Sequence, residues 1–205
     1  MAHFNPEEIE QFWRQQNSRR LVVRDTLNAR RLPYGVAVEN LSKEWNIGNL
    51  IRTANAFLCG ELILIGRDSF NDAGCPGIYR FECMRHAPDQ AAFFELAAQG
   101  GYQVIAVEID PRAEMLPRFN YPEKPLFLFG SELEGLSPEL IDRADHRVMI
   151  PQYGLVPCLN VNISCSIVLY DFISRVHPDL EPVPVVGTKF QIDTGSGRGP
   201  GIDED

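Results

Sequence analysis

Residues 126–140 read LFLFGSELEGLSPEL and indicate how the chain folds. The apolar run Leu126–Phe129 is typical of a strand that is buried on both faces of a sheet. The strand ends at Gly130, and Ser137 and Pro138 then supply the N-cap and the first turn of a helix. A buried strand that leads through a short loop into a helix is the repeating unit of parallel α/β proteins.

The same alternation of strands and helices continues on both sides of this unit. The predicted strands are Gly35–Glu39, Leu62–Gly66, one short strand within 69–86, Gln103–Val107, Leu126–Phe129 and Arg147–Ile150. The predicted helices are Asn46–Leu58, Pro88–Gly100, one that starts at Ser137, and Leu159–Arg175. The pattern therefore predicts an α/β fold, with a mostly parallel sheet and helices on both faces.

Composition divides the chain into three regions. Residues 1–33 are predicted to form a helical, basic extension that starts at Asn5 and Pro6. Residues 34–177 carry the alternating pattern and are predicted to be one domain. Residues 178–205 contain four prolines and five glycines and are predicted to be a flexible tail. The glycine-rich run 195–201 does not satisfy a phosphate-loop motif, because no strand precedes it and no helix follows it.

The charge of the chain is distributed unevenly. The 205 residues are 44% apolar and 23% charged, which is typical of a globular protein. The net charge of −9 argues against a protein that coats nucleic acid by bulk electrostatics. The basic extension is locally positive, and its arginines are Arg14, Arg19, Arg20, Arg24, Arg30 and Arg31. A local basic face on an acidic body predicts modest, salt-sensitive RNA binding.

The sequence favours a cytoplasmic protein. No apolar run approaches the roughly 20 residues that are needed to span a bilayer, so no membrane association is expected. The N-terminus lacks the basic and apolar regions of a secretory signal. The five cysteines form no CxxC pair, and a reducing compartment fits them best.

Two segments place polar residues where chemistry is expected. Residues 46–54 read NIGNLIRTA and put Asn46 and Arg52 nearly two turns apart on one helix. The alternative for Arg52 is a simple ion pair with a carboxylate on the protein's own surface. Residues 128–138 read LFGSELEGLSP and put Glu132 in a loop at the carboxyl end of a strand, where ligands bind open α/β sheets. The alternative for this segment is a tight turn in which Ser137 only caps the following helix. This alternative gives no role to Glu132.

A third segment joins a strand to the last helix. Residues 150–164 read IPQYGLVPCLNVNIS. Asn160 and Asn162 are poor residues for a helix interior unless they cap the helix or contact another group. The alternative is a plain loop followed by a core helix, in which Cys165 and Ser166 allow close packing.

Together, in this order and at these spacings, the three segments resemble the motifs of the SpoU/TrmH family. Members of this family are RNA ribose 2′-O-methyltransferases that use S-adenosyl-L-methionine (SAM), and they belong to the SPOUT superfamily. The family motifs read approximately N-x-G-x-x-x-R-x-A, then F/V-G-x-E-x-x-G-L/I, then I-P-x-x-G-x-x-x-S-L-N-V. The resemblance extends from Gly35 to about Arg175.

The resemblance implies a fold and a cofactor site that residue patterns alone do not supply. It implies a parallel sheet whose C-terminal segment forms a deep trefoil knot, the α/β knot of the SPOUT superfamily. It also implies a homodimer that needs no metal and binds SAM through three loops. Carried over to this chain, the cofactor-binding residues are Val107, Glu108, Gly130, Ile150, Cys158 and Leu159.

The resemblance also implies catalytic roles. The reaction is the attack of a ribose 2′-hydroxyl on the methyl group of SAM. Family proposals often make the arginine at the position of Arg52 a general base, but a guanidinium group stays protonated in proteins. We therefore assign Arg52 the role of a cation that holds the adjacent phosphate and stabilises the developing oxyanion. Asn46 and Asn160 would orient Arg52 and the ribose, and Glu132 would position Arg52 or the nucleotide.

Three positions depart from the family pattern. Cys158 and Asn162 stand where serine is common, and Leu58 replaces a frequent glycine. A thiol is a weaker hydrogen-bonding group than a hydroxyl, so the contact expected at Cys158 is weaker or is made by the backbone. This substitution leaves open a non-catalytic RNA-binding or assembly protein with the same fold. An unrelated nucleotide-binding α/β enzyme is the third alternative, and no phosphate loop supports it.

The RNA partner expected from the resemblance is tRNA rather than rRNA. The short extension lacks the separate RNA-binding domain that is common in rRNA-modifying relatives. Its arginine cluster is suited to gripping the phosphate backbone of a tRNA.

Overall fold

The structure, a computed structural model, describes most of the chain between residues 25 and 190. The described residues are 25, 27–39, 44–66, 69–71, 74–75, 78–131, 134–181, 185–186 and 189–190. The described residues of Arg31–Pro178 form one compact unit, and the described residues on either side of them belong to a second unit. The helix predicted to start at Asn5 and most of the predicted tail lie outside the described residues.

Seven parallel strands form the sheet of the larger unit. The strands are β1 (Gly35–Glu39), β2 (Glu61–Ile65), β3 (Met84–Ala87), β4 (Gln103–Val107), β5 (Glu114–Met115), β6 (Pro125–Phe129) and β7 (His146–Met149). Their order in the sheet is β3-β2-β1-β6-β4-β7-β5, and every neighbouring pair is parallel. In the centre, Val36 of β1 lies between Leu62 and Phe127. Strands β1 and β6 are buried along their whole length, as their unbroken apolar runs predict.

Four helices cover the two faces of this sheet. They are α1 (Glu44–Ala56), α2 (Gln90–Gly100), α3 (Pro138–Arg143) and α4 (Val161–Val176). Helices α1 and α4 pack on one face, in a core that includes Leu50 and Val168. Helices α2 and α3 pack on the other face, around Phe93 and Leu140. The predicted α/β class, with helices on both faces of a parallel sheet, is confirmed.

Some helix boundaries differ from the predicted ones, because local hydrogen bonds set the residue at which a helix begins or ends. Helix α4 begins two residues later than predicted, because Asn160 is its N-cap and its side chain accepts a hydrogen bond from the backbone N–H of Asn162. Helix α2 begins after its cap Asp89 and ends at Gly101, which has a left-handed conformation. Strand β5, which has two exposed residues, was not predicted, because so short an element has no periodicity.

The smaller unit contains a short antiparallel pair of strands, β8 (Val185–Val186) and β9 (Lys189–Phe190). This pair lies within the region for which the sequence analysis predicted only a tail. Among the described residues, no helix combines the length and the apolar character that crossing a membrane requires.

Arg31 begins the larger unit and is engaged inside it. Its guanidinium pairs with Glu82 at 2.9 Å, and both side chains are less than a tenth exposed. Glu82 also accepts a hydrogen bond from the side chain of Asn55 at 2.6 Å. The arginine cluster was predicted to bind the phosphate backbone of RNA. For Arg31 this prediction is wrong, because its guanidinium is held inside the larger unit. Four of its other members, Arg14, Arg19, Arg20 and Arg24, lie outside the described residues.

Gly48 allows helix α1 to pack closely against the loop between β2 and β3. A Cβ atom at Gly48 would lie 2.9 Å from the carbonyl oxygen of Asn71 and 3.0 Å from the Cα of Gly74. Both contacts are to backbone, which cannot move aside as a flexible side chain does. The glycine of the first motif is thus explained by a neighbouring segment of the same chain.

The substitution Gly48→Ala is expected to lower the free energy of unfolding by about 2 kcal/mol. The cost of overpacking, about 3 kcal/mol against backbone, exceeds the gain of about 1 kcal/mol in helix propensity. Urea denaturation measures the difference. The matched control is Gly154→Ala, because a Cβ at Gly154 meets no atom within 4 Å. Equal stability of the two variants would contradict the close packing at Gly48.

Candidate active site

A cleft opens at the carboxyl ends of β4, β6 and β7, where ligands bind in open α/β sheets. It is lined by Val107, Glu108, Ile109, Phe129, Gly130, Ser131, Ile150, Gln152, Cys158, Leu159, Val161 and Ser164. The six residues that the resemblance implies for the cofactor all belong to this set. Three loops that are far apart in sequence therefore converge on one cleft.

The wall of the cleft at β6 is shaped by a close approach of two backbone segments. A Cβ atom at Gly130 would lie 2.2 Å from the carbonyl carbon of Gly135 and 2.3 Å from the backbone nitrogen of Leu136. Gly135 itself has a φ of +68°, a conformation that favours glycine. Both glycines of the second motif are therefore required by the path of the chain.

Glu108 joins this wall to the end of β4. Its carboxylate accepts hydrogen bonds from the backbone N–H groups of Ile109 and Leu136, each at 2.9 Å. The sequence analysis assigned Glu108 to the cofactor alone. In the structure its carboxylate holds the loop after β6 in place, and its contact with the cofactor stays a prediction.

Glu39 anchors the same loop from the end of β1, and the sequence analysis missed it. The buried carboxylate accepts hydrogen bonds from the Gln90 side chain and from the backbone N–H of Ser137, both at 2.8 Å. Ser137 occupies the predicted N-cap position of α3, but its side chain accepts a hydrogen bond from Gln90 instead of capping the helix. An acidic residue at the end of a fully buried strand is the signal that could have identified Glu39.

The first and third motifs meet between helices α1 and α4. The Asn160 side-chain amide donates a hydrogen bond to the side-chain oxygen of Asn46 at 3.3 Å. Asn46 is buried, and Asn160 lies exposed at the start of α4. The structure thus brings together two of the four residues for which catalytic roles were predicted.

A second polar contact joins the same two helices. The Thr53 hydroxyl donates a hydrogen bond to the side-chain oxygen of Asn162 at 2.8 Å. The Ser166 hydroxyl donates to the main-chain oxygen of Asn162 at 2.8 Å and lies 3.4 Å from the Thr53 hydroxyl. Asparagine was expected in this motif only if it caps the helix or contacts another group. Asn160 caps α4, and Asn162 contacts Thr53.

Arg52 is exposed on α1, and no described residue accepts a hydrogen bond from its guanidinium. The alternative of a surface ion pair for Arg52 is therefore not observed among the described residues. An exposed guanidinium remains a cation and is free to meet a ligand from solution. Glu132, the remaining predicted catalytic residue, lies outside the described residues, and its role stays a prediction.

The cysteines divide into buried and exposed groups. Burial raises the pKa of Cys59 to about 12 and raises the pKa of Cys165 well above its usual value, so both thiols stay protonated and unreactive at neutral pH. Cys75 is also buried. Cys158 and Cys83 are exposed, and Cys158 lines the cleft.

Residues 33–170 match the SpoU rRNA methylase family. The chain belongs to this family. The match spans more than half of the chain and contains all three motifs, so the family predicted from those motifs is confirmed.

Named relatives of this SpoU-family chain are tRNA methyltransferases. It is 24% identical over 155 residues to the tRNA (guanosine(18)-2′-O)-methyltransferase of Aquifex aeolicus, covering 73% of this chain and 72% of the relative. It is 27% identical over 158 residues to the enzyme of the same name from Thermus thermophilus, covering 75% and 81%.

Solved structures share the fold of this SpoU-family chain. The A. aeolicus TrmH/SpoU tRNA-modifying enzyme superimposes with a TM-score of 0.70 at 23% identity, covering 80% of this chain and 85% of that one. An AdoMet-bound rRNA methyltransferase from Sinorhizobium meliloti gives a TM-score of 0.61 at 25% identity, covering 73% and 60%. The predicted SPOUT-type fold is confirmed, and the trefoil knot within it stays a prediction.

The exposure of Cys158 gives a direct probe of the cleft. Iodoacetamide is expected to alkylate Cys158 and Cys83 in the native SpoU-family chain and to leave Cys59, Cys75 and Cys165 unmodified. Prior incubation with SAM is expected to slow the alkylation of Cys158 at least several-fold, because ligand in the cleft covers this thiol. Peptide mass spectrometry measures both rates, and Cys83 is the internal control. Equal protection of the two thiols, or none, would argue against SAM in this cleft.

Proposed function

We propose that the chain transfers a methyl group from SAM to a ribose 2′-hydroxyl of tRNA. The observation that carries the proposal is that the second and third SpoU-family motifs meet the loop after β4 at one cleft, while the first motif contacts the third through Asn46 and Asn160. The family supplies the reaction type, and the cleft supplies a place for the cofactor.

The residues of the cleft fit SAM. Apolar side chains such as Phe129 and Leu159 suit the adenine ring, and Gly130 and Ser131 continue the lining at the end of β6. The side-chain oxygen of Gln152 is buried and has no hydrogen-bond partner among the described residues, so polar capacity remains at the cleft. Bound SAM would supply an electrophilic methyl group.

The protein's own contribution is orientation and charge. Arg52 is placed to bind a phosphate next to the target ribose and to stabilise the oxyanion that develops on the 2′-oxygen. Asn160 and Asn46, joined by their hydrogen bond, hold the start of α4 against α1. Holding two reactants in alignment supplies roughly 7–11 kcal/mol of a barrier, so the rigidity of this arrangement is catalytically valuable.

A tRNA substrate is supported by the relatives, several of which are named for guanosine 18 of tRNA. Guanosine 18 is therefore the first nucleotide to test. A cytoplasmic location suits this substrate, and it also suits five cysteines that form no disulfide bond with one another. We propose that the methyltransferase domain comprises residues 34–177, between an extension of 1–33 and a tail of 178–205, and the compact unit that contains this domain spans Arg31–Pro178.

A homodimer is supported by an apolar stripe on helix α4. Ile163, Ile167 and Tyr170 lie at spacings that share one face, and all three are exposed. A groove next to them is lined by Leu116, Pro117, Ile150, Pro151, Ser166, Ile167, Tyr170 and Asp171. Contiguous apolar surface of this kind on a single chain marks an interface. A second copy of this chain is the occupant we propose.

The role of Arg52 is tested by methyl transfer from radiolabelled SAM to a tRNA transcript. Arg52→Lys is expected to lose most of the activity, because lysine keeps the charge and lacks the two-pronged geometry that binds phosphate. Calorimetry is expected to show that this variant still binds SAM. The control is Arg143→Lys, an exposed arginine that pairs with Glu139 on α3. Near-normal turnover of Arg52→Lys would refute the role.

The same assay on the wild-type chain tests whether the protein methylates a ribose 2′-hydroxyl of tRNA. Transfer to a transcript with guanosine 18, lost when that ribose lacks its 2′-hydroxyl, supports the proposed reaction. RNA binding without SAM binding would instead identify a non-catalytic RNA-binding protein.

The dimer is tested by sedimentation, which should give twice the 23.1 kDa of the chain. Ile167→Glu is expected to give monomers, because a carboxylate at an apolar interface loses its hydration without gaining a partner. Val176→Glu is the matched control, since Val176 is similarly exposed on α4 but lies off the stripe. Retention of the dimer by Ile167→Glu would exclude this face.

A further inference from the structure

The proposed reaction requires helix α1 to keep a fixed position relative to helix α4. Helix α1 carries Arg52, which acts on the RNA, whereas the start of α4 and the loop before it line the cofactor cleft. Arg52 has no described acceptor that would hold its side chain. Its position relative to the cleft is therefore set by the placement of the α1 backbone.

Apolar packing alone fixes this placement only loosely. The buried side chains between the two helices, such as Leu50 and Val161, exclude water but have no directional preference. Hydrogen bonds have a directional preference, because the donor and acceptor atoms must lie about 3 Å apart with the hydrogen nearly in line between them. The directional contacts described between these helices are the Asn46–Asn160 pair and the group formed by Thr53, Asn162 and Ser166.

We infer that Thr53 and Asn162 are positioning residues for Arg52, an inference that rests on the proposed function. Thr53 follows Arg52 directly on α1, and its hydroxyl is held by Asn162 at 2.8 Å. Threonine is a weak helix former, so its place inside α1 is explained by this contact more readily than by propensity. The bond ties the residue next to Arg52 to the second residue of α4.

Asn162 is a feature of this chain's own sequence, since serine is common at this position in the family. The asparagine side chain reaches one heavy atom further than serine, and it spans the gap to Thr53. Its main-chain oxygen is held by Ser166, one turn further along α4. The group therefore acts as a short brace between the two helices.

The test is a double-mutant cycle under saturating SAM and tRNA. Thr53→Val and Asn162→Ala are each expected to lower the rate constant of methyl transfer about 10-fold, since small misplacements of reacting groups are costly. The affinity for SAM and the KM for tRNA are expected to stay within twofold. The double variant should be no slower than the slower single variant, because the two residues act through one bond. Thr53→Ser restores the hydroxyl and should recover at least half of the wild-type rate.

A control separates positioning from general loss of stability. Asn55→Ala removes a side-chain hydrogen bond from the same helix, to Glu82 at 2.6 Å. This variant is expected to lower Tm and to keep the rate constant within twofold of the wild type. A rate constant that falls in step with Tm across all variants would overturn the inference.

Other outcomes are equally decisive. If Thr53→Val and Asn162→Ala keep the wild-type rate, or if their losses multiply in the double variant, the brace does not position Arg52. If the wild-type chain transfers no methyl group to any tRNA, the proposed function fails and this inference fails with it. The first result leaves the proposed function intact, so the two failures are distinguishable.

Discussion

The cleft depends on one close contact between backbone segments at the end of β6. Gly130 lies so near Gly135 and Leu136 that even a methyl group would overlap them. Glu108 then closes the contact by accepting the N–H of Leu136. Because these residues come from β4 and from the loop after β6, the contact places two of the three cleft-forming loops at once. The third loop, before α4, completes the lining through Cys158 and Leu159.

The two faces of the sheet contribute differently to the site. On one face, the buried Glu39 carboxylate ties Gln90 of α2 and Ser137 to the end of β1, so α2 and α3 support the cleft from behind. On the other face, α1 and α4 pack together and bring Asn46 into contact with Asn160. Buried polar groups that are fully hydrogen-bonded give this arrangement a single geometry that apolar packing does not specify.

Much of this architecture could be read from the sequence. The strand predicted at Leu126–Phe129 and the helix predicted at Pro88–Gly100 each have a local physical cause, and the structure has a strand at Pro125–Phe129 and a helix at Gln90–Gly100. The site was harder to predict, because its contacts join distant residues. The link between Glu39 and Ser137 spans 98 positions. No local pattern encodes such a pair, which forms only after β1 and α3 are brought together by the sheet.

The sequence by itself determined the parallel α/β class and the family, because strand and helix periodicity and motif spacing are local properties of the chain. The loops that line the cleft were implied by the resemblance to that family, and the structure brings them together. Only the tertiary structure decided which of these residues stabilise the fold and which side chains face solvent. It placed Gly48 against Gly74, buried Arg31 with Glu82 and left Arg52 exposed. The physical reason is that burial and pairing depend on neighbours supplied by other elements, and the same residue type forms a buried ion pair in one setting and is exposed to solvent in another.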